Sequence, residues 1–319
     1  MKHTQDVKNL LNQDLLDILI CPSCRDGYLE RKGENTLICK ACGYEYTIID
    51  GIPILLTEES IKNIDCFYSQ KKPDGTHKES QKNWRDKLLR LIEPPARIRM
   101  GDNRALKLAA AWKQASITST TPKPVVLTIG NLRMPKFSDS QKDVYDTYNK
   151  NSIKMDITVK RGVDLVADGY RIPFPDKYFD LVVAQASMKH LVNPHNFITE
   201  VKRILKPEGI FYAEFAYLLS FHRWPGDYFR FTPRGISELL TGFDIVDMGA
   251  NRGASYTVAE ILMLYCACLL SFNNHFLYSF FKYFFGWILH PVRYLDFFLA
   301  NNRWADQICQ INYCIARRK

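Results

Sequence analysis

From Val125 the chain alternates short, continuous apolar runs with segments of helical spacing, the pattern of a parallel sheet covered on both faces. The runs predict seven strands: Val125–Gly130, Ser152–Asp156, Val163–Asp168, Tyr178–Ala184, Gly209–Phe215, Phe243–Asp247 and Gln310–Ala316. A helix carrying Phe197, Val201, Ile204 and Leu205 fits between the fourth and fifth. Between the sixth and seventh lies a different texture. Ile261 to Phe272 is almost wholly apolar, Asn273-Asn274-His275 breaks it, and a second aromatic run from Phe276 to Leu289 carries only Lys282 as a charge. Neither run reaches the ~20 residues that cross a bilayer, so the stretch 257–305 is expected to be an apolar helical insertion.

Before Val125 the pattern is broken more often. Ser69-Gln70-Lys71-Lys72-Pro73-Asp74-Gly75-Thr76 has the content of a linker or exposed loop. A helical stretch is interrupted at Pro94-Pro95, and Thr118 to Pro124 punctuates the chain again. The expected organisation is a small first domain over 1–57, a linker and helical, basic segment over 58–123, and an α/β domain over 124–319. At 319 residues and 46% hydrophobic, the chain can bury a large core and is expected to hold one small and one medium domain.

The first domain carries the sharpest chemistry. Cys21-Pro22-Ser23-Cys24 and Cys39-Lys40-Ala41-Cys42 are two CxxC pairs, a spacing that two facing turns can close around one tetrahedral zinc, with Gly27 and Gly43 expected to relax the turns. Four thiolates fill the coordination shell, so the zinc is expected to be structural. The other five cysteines, Cys66, Cys266, Cys268, Cys309 and Cys314, are irregularly placed and no signal-like segment leads the chain; the expected compartment is the reducing cytoplasm.

Net charge is +9, and part of it is local: Lys78 to Lys113 holds ten Lys or Arg against four Asp or Glu. The expected reading is a solvated helical face around Trp84, Leu88, Leu91 and Ile92. A phosphate-facing surface is the alternative, whether for nucleic acid, anionic lipid or a phosphorylated substrate.

The runs Leu15 to Cys24, Leu37 to Tyr44 and Tyr46 to Leu56 resemble the small zinc-ribbon family that includes the methyltransferase-activating subunit of eukaryotes and its short bacterial relatives. Members of that family bind and solubilise class I methyltransferases in trans. The resemblance implies the same service in cis.

A second resemblance covers the chain from about Val125. Asp168-Gly169-Tyr170-Arg171-Ile172-Pro173-Phe174-Pro175 and its continuation to Val182, Lys189-His190-Leu191, and Glu200 to Gly209 are similar to the later motifs of class I S-adenosylmethionine-dependent methyltransferases. Asp227 to Gly235 resembles a branch associated with cell-surface glycan or natural-product pathways. The fold implied is a doubly wound, mostly parallel seven-stranded sheet. The resemblance implies S-adenosylmethionine as cofactor, with Asp156 accepting from the ribose hydroxyls and Asp168 taking the adenine amino group between Gly169 and Tyr170. At the first loop the usual GxGxG is reduced to Gly130-Asn131-Leu132-Arg133, in which only Gly130 and a turn-tolerant Asn131 can admit the methionine moiety.

Gln185 is expected just beyond the fourth strand, shaping the pocket. His190 and His222 lie in loops suited to a general base, while Asp227, Tyr228 and Arg230 brace the loop bearing His222. The expected function is a zinc-ribbon-bearing methyltransferase acting on an unidentified small-molecule, glycan or lipid-linked acceptor. The alternatives are an inactive scaffold of the same fold and an enzyme acting on RNA or a translation factor. The apolar insertion is expected to pack on the domain as a cap or dimer interface; peripheral membrane contact, helped by Lys282, Arg293 and the basic terminus Arg317-Arg318-Lys319, is the minority reading.

Overall fold

The computed structural model describes residues 13–62, 104–121, 123–130, 148, 150–159, 162–185, 187–221, 226–251, 253–299, 302 and 304–319. The expected linker 69–76, the helical face around Trp84 and the loop at Asn131 lie outside the described residues, as does His222.

After a helical turn, α1 (Gln13–Leu16), four short strands form an antiparallel ribbon: β1 (Leu29–Arg31), β2 (Thr36–Cys39), β3 (Glu45–Ile49) and β4 (Ile52–Leu55). Alternate burial in β3, with Tyr46 and Ile48 inward and Glu45, Thr47 and Ile49 outward, gives it one wet face.

The second part holds seven strands, β5 (Val126–Gly130), β6 (Ser152–Asp156), β7 (Leu165–Ala167), β8 (Phe179–Gln185), β9 (Leu205–Ala216), β10 (Phe243–Ala250) and β11 (Ile311–Arg318). Their order is β7-β6-β5-β8-β9-β11-β10, with β11 antiparallel to both neighbours. This is the expected mostly parallel, seven-stranded α/β sheet. All seven residues of β8 are buried, as a central strand covered on both faces requires.

The sheet does not stop at β7, because β4 of the ribbon pairs with it in parallel, Ile54 opposite Val166 and Leu55 opposite Ala167. Eleven strands therefore form one continuous sheet. The ribbon and the second part share one core: Leu19, Leu37, Ile48 and Leu55 of the ribbon belong to the same buried cluster as Ile172, Phe174 and Phe197.

One face of the sheet is covered by α2 (Arg104–Thr118), whose Leu108, Ala111, Trp112 and Ala115 pack on Val126, Leu181, Val183 and Tyr212. Lys107, one of the cations in the basic stretch, is turned inward to Asp247 (3.0 Å) and lies 4.5 Å over the Tyr313 ring. The other face carries α3 (Pro194–Ile204) and α4 (Pro233–Leu239), each opened by a side-chain cap, Asn193 and Thr232, and a proline in the first turn.

The insertion folds as α5 (Ala254–Ser271), α6 (His275–Ile288), a short 3-10 turn (His290–Leu295) and α7 (Asp296–Leu299). Within the single chain α6 is covered on one side only: Gly286 is buried, seven residues including Phe281 and Phe285 are half-buried, and Phe276, Phe280, Phe284 and Trp287 are exposed. The basic terminus does not share its face. β10 is parallel to β9 because both oppose β11, so Ala250 and Ile311 sit at the edge where β5, β6 and β8 end, and Arg318 lies at the opposite edge. There Arg317 is paired with Glu208 (3.4 Å) and Lys319 with Asp244 (3.2 Å).

Candidate metal centre and cofactor crevice

Cys21 and Cys24 lie in the turn before β1, Cys39 ends β2, and Cys42 lies in the turn to β3. The Sγ atoms of Cys21 and Cys42 are 3.8 Å apart, those of Cys24 and Cys39 are 3.6 Å apart, and all four lie within 4.8 Å of one another. Zinc–sulfur bonds of about 2.3 Å at tetrahedral angles put neighbouring sulfurs about 3.8 Å apart, so the four cysteines fit a zinc ion without rearrangement. Among the described residues no cysteine pair is joined as a disulfide.

The thiols do not share one environment: burial pushes Cys21 up, and against the Tyr44 amide, burial and the other three sulfurs push Cys42 up, so it is the ion that would hold all four as thiolates. Tyr46 brings its Oη to 3.1 Å from Cys21 Sγ while accepting from the Ser23 amide. The Asp26 amide, ahead of smaller contributions, holds the Cys24 thiol down at about 7. Gly43 has φ +72°, the left-handed value expected of a relaxed turn. Gly27 serves differently from expectation: a Cβ there would stand 2.1 Å from Cys39 Sγ, so it is space for the ligand sulfur that requires glycine. Bound zinc supplies a structural cross-link, with no coordination position left for a substrate.

A second cluster occupies the carboxyl edge of the parallel strands. Gly130, at φ +88°, ends β5 in register with Gln185, and a Cβ on it would come within 3.1 Å of Ser187. Asp156 ends β6, buried, with Oδ1 accepting from the amide and hydroxyl of Thr158, both at 3.0 Å. Asp168 follows β7; its Oδ1 accepts from the Tyr170 amide (2.9 Å) and its Oδ2 from the Ser60 hydroxyl (2.7 Å). Since a carboxylate accepts about four hydrogen bonds, these donors leave capacity for an adenine amino group. Gly169 allows close approach to α3, where a Cβ would meet the Phe197 ring at 2.9 Å, and Tyr170 Oη accepts from the Asn193 amide at 3.0 Å. Burial pushes the Tyr170 phenol up. The edge thus holds a glycine cradle and two fixed carboxylates, which fit S-adenosylmethionine.

Gln185 is the last residue of β8 rather than the first beyond it, and it is buried. Its Nε2 donates to Glu214 Oε1 (3.4 Å), which also accepts from Tyr212 Oη (3.2 Å) and Asn251 Nδ2 (3.1 Å). Glu214 and Asn251 were not expected at the site, and nothing in their local sequence marks them; only the pairing of β8, β9 and β11 brings them to Gln185. His190 is fixed by a hydrogen bond from Nδ1 to the Gly226 carbonyl, which makes Nε2 the accepting nitrogen of the neutral ring. Arg230 holds Asp227 (2.6 Å) and the Leu219 carbonyl (3.1 Å) together, and the Tyr228 amide donates to Lys189 (2.8 Å), so the expected bracing groups converge next to His190.

Residues 12–51 match the Trm112p-like protein family and residues 144–213 a methyltransferase domain. A UPF0434 protein of Nitrosospira multiformis is 52% identical over 50 residues, 16% of this chain and 82% of its own. A ubiquinone/menaquinone biosynthesis C-methyltransferase of Paraburkholderia phymatum is 30% identical over 124 residues, 34% of this chain and 51% of that one. A solved complex of the Haloferax volcanii Trm112 methyltransferase activator with a methyltransferase aligns at 15% identity and TM-score 0.36, covering 70% of this chain and 99% of that one. Through its four-cysteine first domain, the chain belongs to the UPF0434 family of Trm112p-like zinc ribbons, joined here to a methyltransferase domain.

Proposed function

We propose that the chain is an S-adenosylmethionine-dependent methyltransferase that carries its activator ribbon on the edge of its own sheet and modifies a glycan precursor or lipid-linked intermediate. The observation that supports this best is the alignment of Gly130, Asp156 and Asp168 along one strand edge, with both carboxylates buried and already held by donors. When bound, the cofactor supplies an electrophilic methyl group. Asp156 would take the ribose hydroxyls, Asp168 the adenine amino group, and Gly169 and Tyr170 the ring. His190 would accept the acceptor hydroxyl's proton at Nε2, with Nδ1 held by Gly226 so that the ring cannot turn. Asn131 and His222 keep the roles expected from the sequence, a turn around the methionine moiety and a second base. Gln185 would bound the pocket from below.

Calorimetric titration with S-adenosylmethionine tests the reading. Binding is expected, and Asp168→Ala should weaken it by about ten- to a hundredfold, the value of one charge-assisted hydrogen bond. Neither heat nor thermal stabilisation at millimolar cofactor would leave the inactive-scaffold reading in its place.

A further inference from the structure

Three charged groups of the insertion turn toward the body of the protein. Asp296 is buried and accepts from the amides of Ser255 (2.7 Å) and Tyr256 (3.2 Å), pinning the start of α5. Glu260 accepts from Ser220 and Gln310, each at 2.6 Å, and buried Arg293 stands 4.6 Å over the Tyr256 ring. These contacts fix one side of the helical pair. The other side is apolar.

On α5, Ile261, Tyr265 and Leu269 recur at the spacing of one helical face and are all exposed; on α6, Phe276, Phe280 and Phe284 do the same. Phe272, at the turn between the helices, is 82% exposed, and Phe298 beyond them is 76% exposed. Contiguous exposed apolar surface of this kind marks a site of interaction. From Ile261 to Leu295 there is no acidic residue, and Lys282 and Arg293 are the only formal charges.

We infer that this surface docks on a lipid bilayer, lying in the interface without crossing it. Length and burial decide between lying and crossing. α6 has 14 residues, about 21 Å, and is too short to span; α5 has 18, about 27 Å, and is long and apolar enough by itself, but 39% of its window is buried against the protein, which keeps it from crossing. Charge and shape decide between lipid and protein. A protein partner covers one stripe of a helix and brings hydrogen-bonding groups to meet its own kind. Here two helices and the turn between them together present exposed apolar and aromatic side chains, Ile261, Leu269, Phe272, Phe276, Phe280 and Phe284, and no acidic residue from Ile261 to Leu295 would repel anionic headgroups. The insertion also leaves the sheet at Ala250 and returns at Ile311, on the same edge as Gly130, Asp156 and Gln185. A docked bilayer would therefore face the side where an acceptor enters, which would bring a lipid-borne acceptor to the site. The inference does not depend on cofactor binding, which is read by a separate titration.

The test is flotation of the full chain with vesicles of phosphatidylethanolamine and phosphatidylglycerol, beside vesicles of phosphatidylcholine alone. The protein is expected to rise with both and more strongly with the anionic mixture at low salt. Phe280→Ser with Phe284→Ser should lower the floating fraction by about tenfold or more, while zinc content and melting temperature stay at their wild-type values; Phe272→Ser, at the exposed turn, gives a second variant with little packing to lose. A chain that stays at the bottom of the gradient overturns the inference. If that chain also sediments as a dimer that Phe284→Ser dissociates, the surface belongs to a second copy.

Discussion

The hydroxyl of Ser60, which follows the last strand of the ribbon, donates a 2.7 Å hydrogen bond to Oδ2 of Asp168, the carboxylate at the end of the strand that the ribbon extends. Thr57 organises the donor: its Oγ1 accepts from the Ser60 amide at 3.2 Å and lies 3.0 Å from the Ser60 hydroxyl. All three side chains are buried. The ribbon thus holds a group of the cofactor edge directly, as well as through strand pairing. Ser60→Ala should lower the unfolding free energy by about 1–3 kcal/mol, the cost of leaving a buried acceptor short of a donor. It should also weaken S-adenosylmethionine binding, with zinc content unchanged. Ser60→Thr, which keeps the hydroxyl, should recover part of both. An alanine variant with wild-type denaturation midpoint and wild-type cofactor affinity would rule out a positioning role.

Gly27 offers a test of the metal centre that touches no ligand. Because a Cβ at this position would overlap Cys39 Sγ at 2.1 Å, Gly27→Ala must push the sulfur off its tetrahedral corner or move the turn. The expected outcome is a loss of zinc approaching that of Cys39→Ser, measured by elemental analysis after gel filtration. Loss of the metal should also free the edge of β7 that β4 now covers, so that the metal-stripped protein aggregates where the loaded protein stays soluble. Stoichiometric zinc in Gly27→Ala would show that the turn adapts more easily than the geometry implies.

Glu200 joins the two parts by a different means. It is buried, and it accepts from Arg25 of the ribbon (3.0 Å), from Arg203 (3.0 Å) and from the Ile172 amide (3.1 Å). Burial works against the Arg203 charge, but the hydrogen bonds it donates to Glu200 and Asp176 outweigh it and hold the guanidinium above its ordinary pKa. The two arginines should not be equivalent to the carboxylate in mutagenesis. Arg25 is 44% exposed at its side chain, so Arg25→Ala should cost no more than about 1 kcal/mol. Glu200→Ala leaves the buried Ile172 amide without its acceptor and takes one of two carboxylates from Arg203, which keeps Asp176, and should cost about 1–3 kcal/mol. Chemical denaturation of the two variants side by side decides; equal costs would mean that water reaches Glu200.

Much of this was legible along the chain. The strand Ser152–Asp156 has the bounds the apolar run gave it, because a buried run ended by a carboxylate leaves little freedom of register. The cysteine spacing reads as a metal centre since it involves only local turns. What could not be read joins distant residues. Ser60 and Asp168 are 108 positions apart, and a serine after a strand looks like any helix cap. The eleven-stranded continuity rests on two residue pairs between β4 and β7 that no pattern within either strand announces. What covers α6 could not be read for a physical reason: an aromatic helix has the same sequence whether a core, a second copy or a bilayer covers it.

The group around Glu214 is the clearest case of a site assembled by strand pairing, and it carries the last prediction. Gln185, Tyr212 and Asn251 all direct donors to Glu214 Oε1, and all four side chains are buried behind the edge where the cofactor is proposed to lie. Gln185 Oε1 and Asn251 Oδ1 are buried with no hydrogen-bond partner, so the amides are held by what Glu214 offers them. Glu214→Leu conserves much of the volume but removes the acceptor from three donors at once. At about 1–3 kcal/mol for each buried group left unsatisfied, the variant should lose several kcal/mol, more than most single substitutions cost. Glu214→Gln keeps one acceptor oxygen and should lose much less. If the cluster also shapes the site, the glutamine variant should fold near normally yet bind S-adenosylmethionine or its acceptor less well; if it only braces the strands, binding will be unchanged once the protein is folded. Denaturation midpoints and cofactor titrations on the same two variants separate these outcomes, and a leucine variant as stable as the wild type would mean that the cluster contributes to neither.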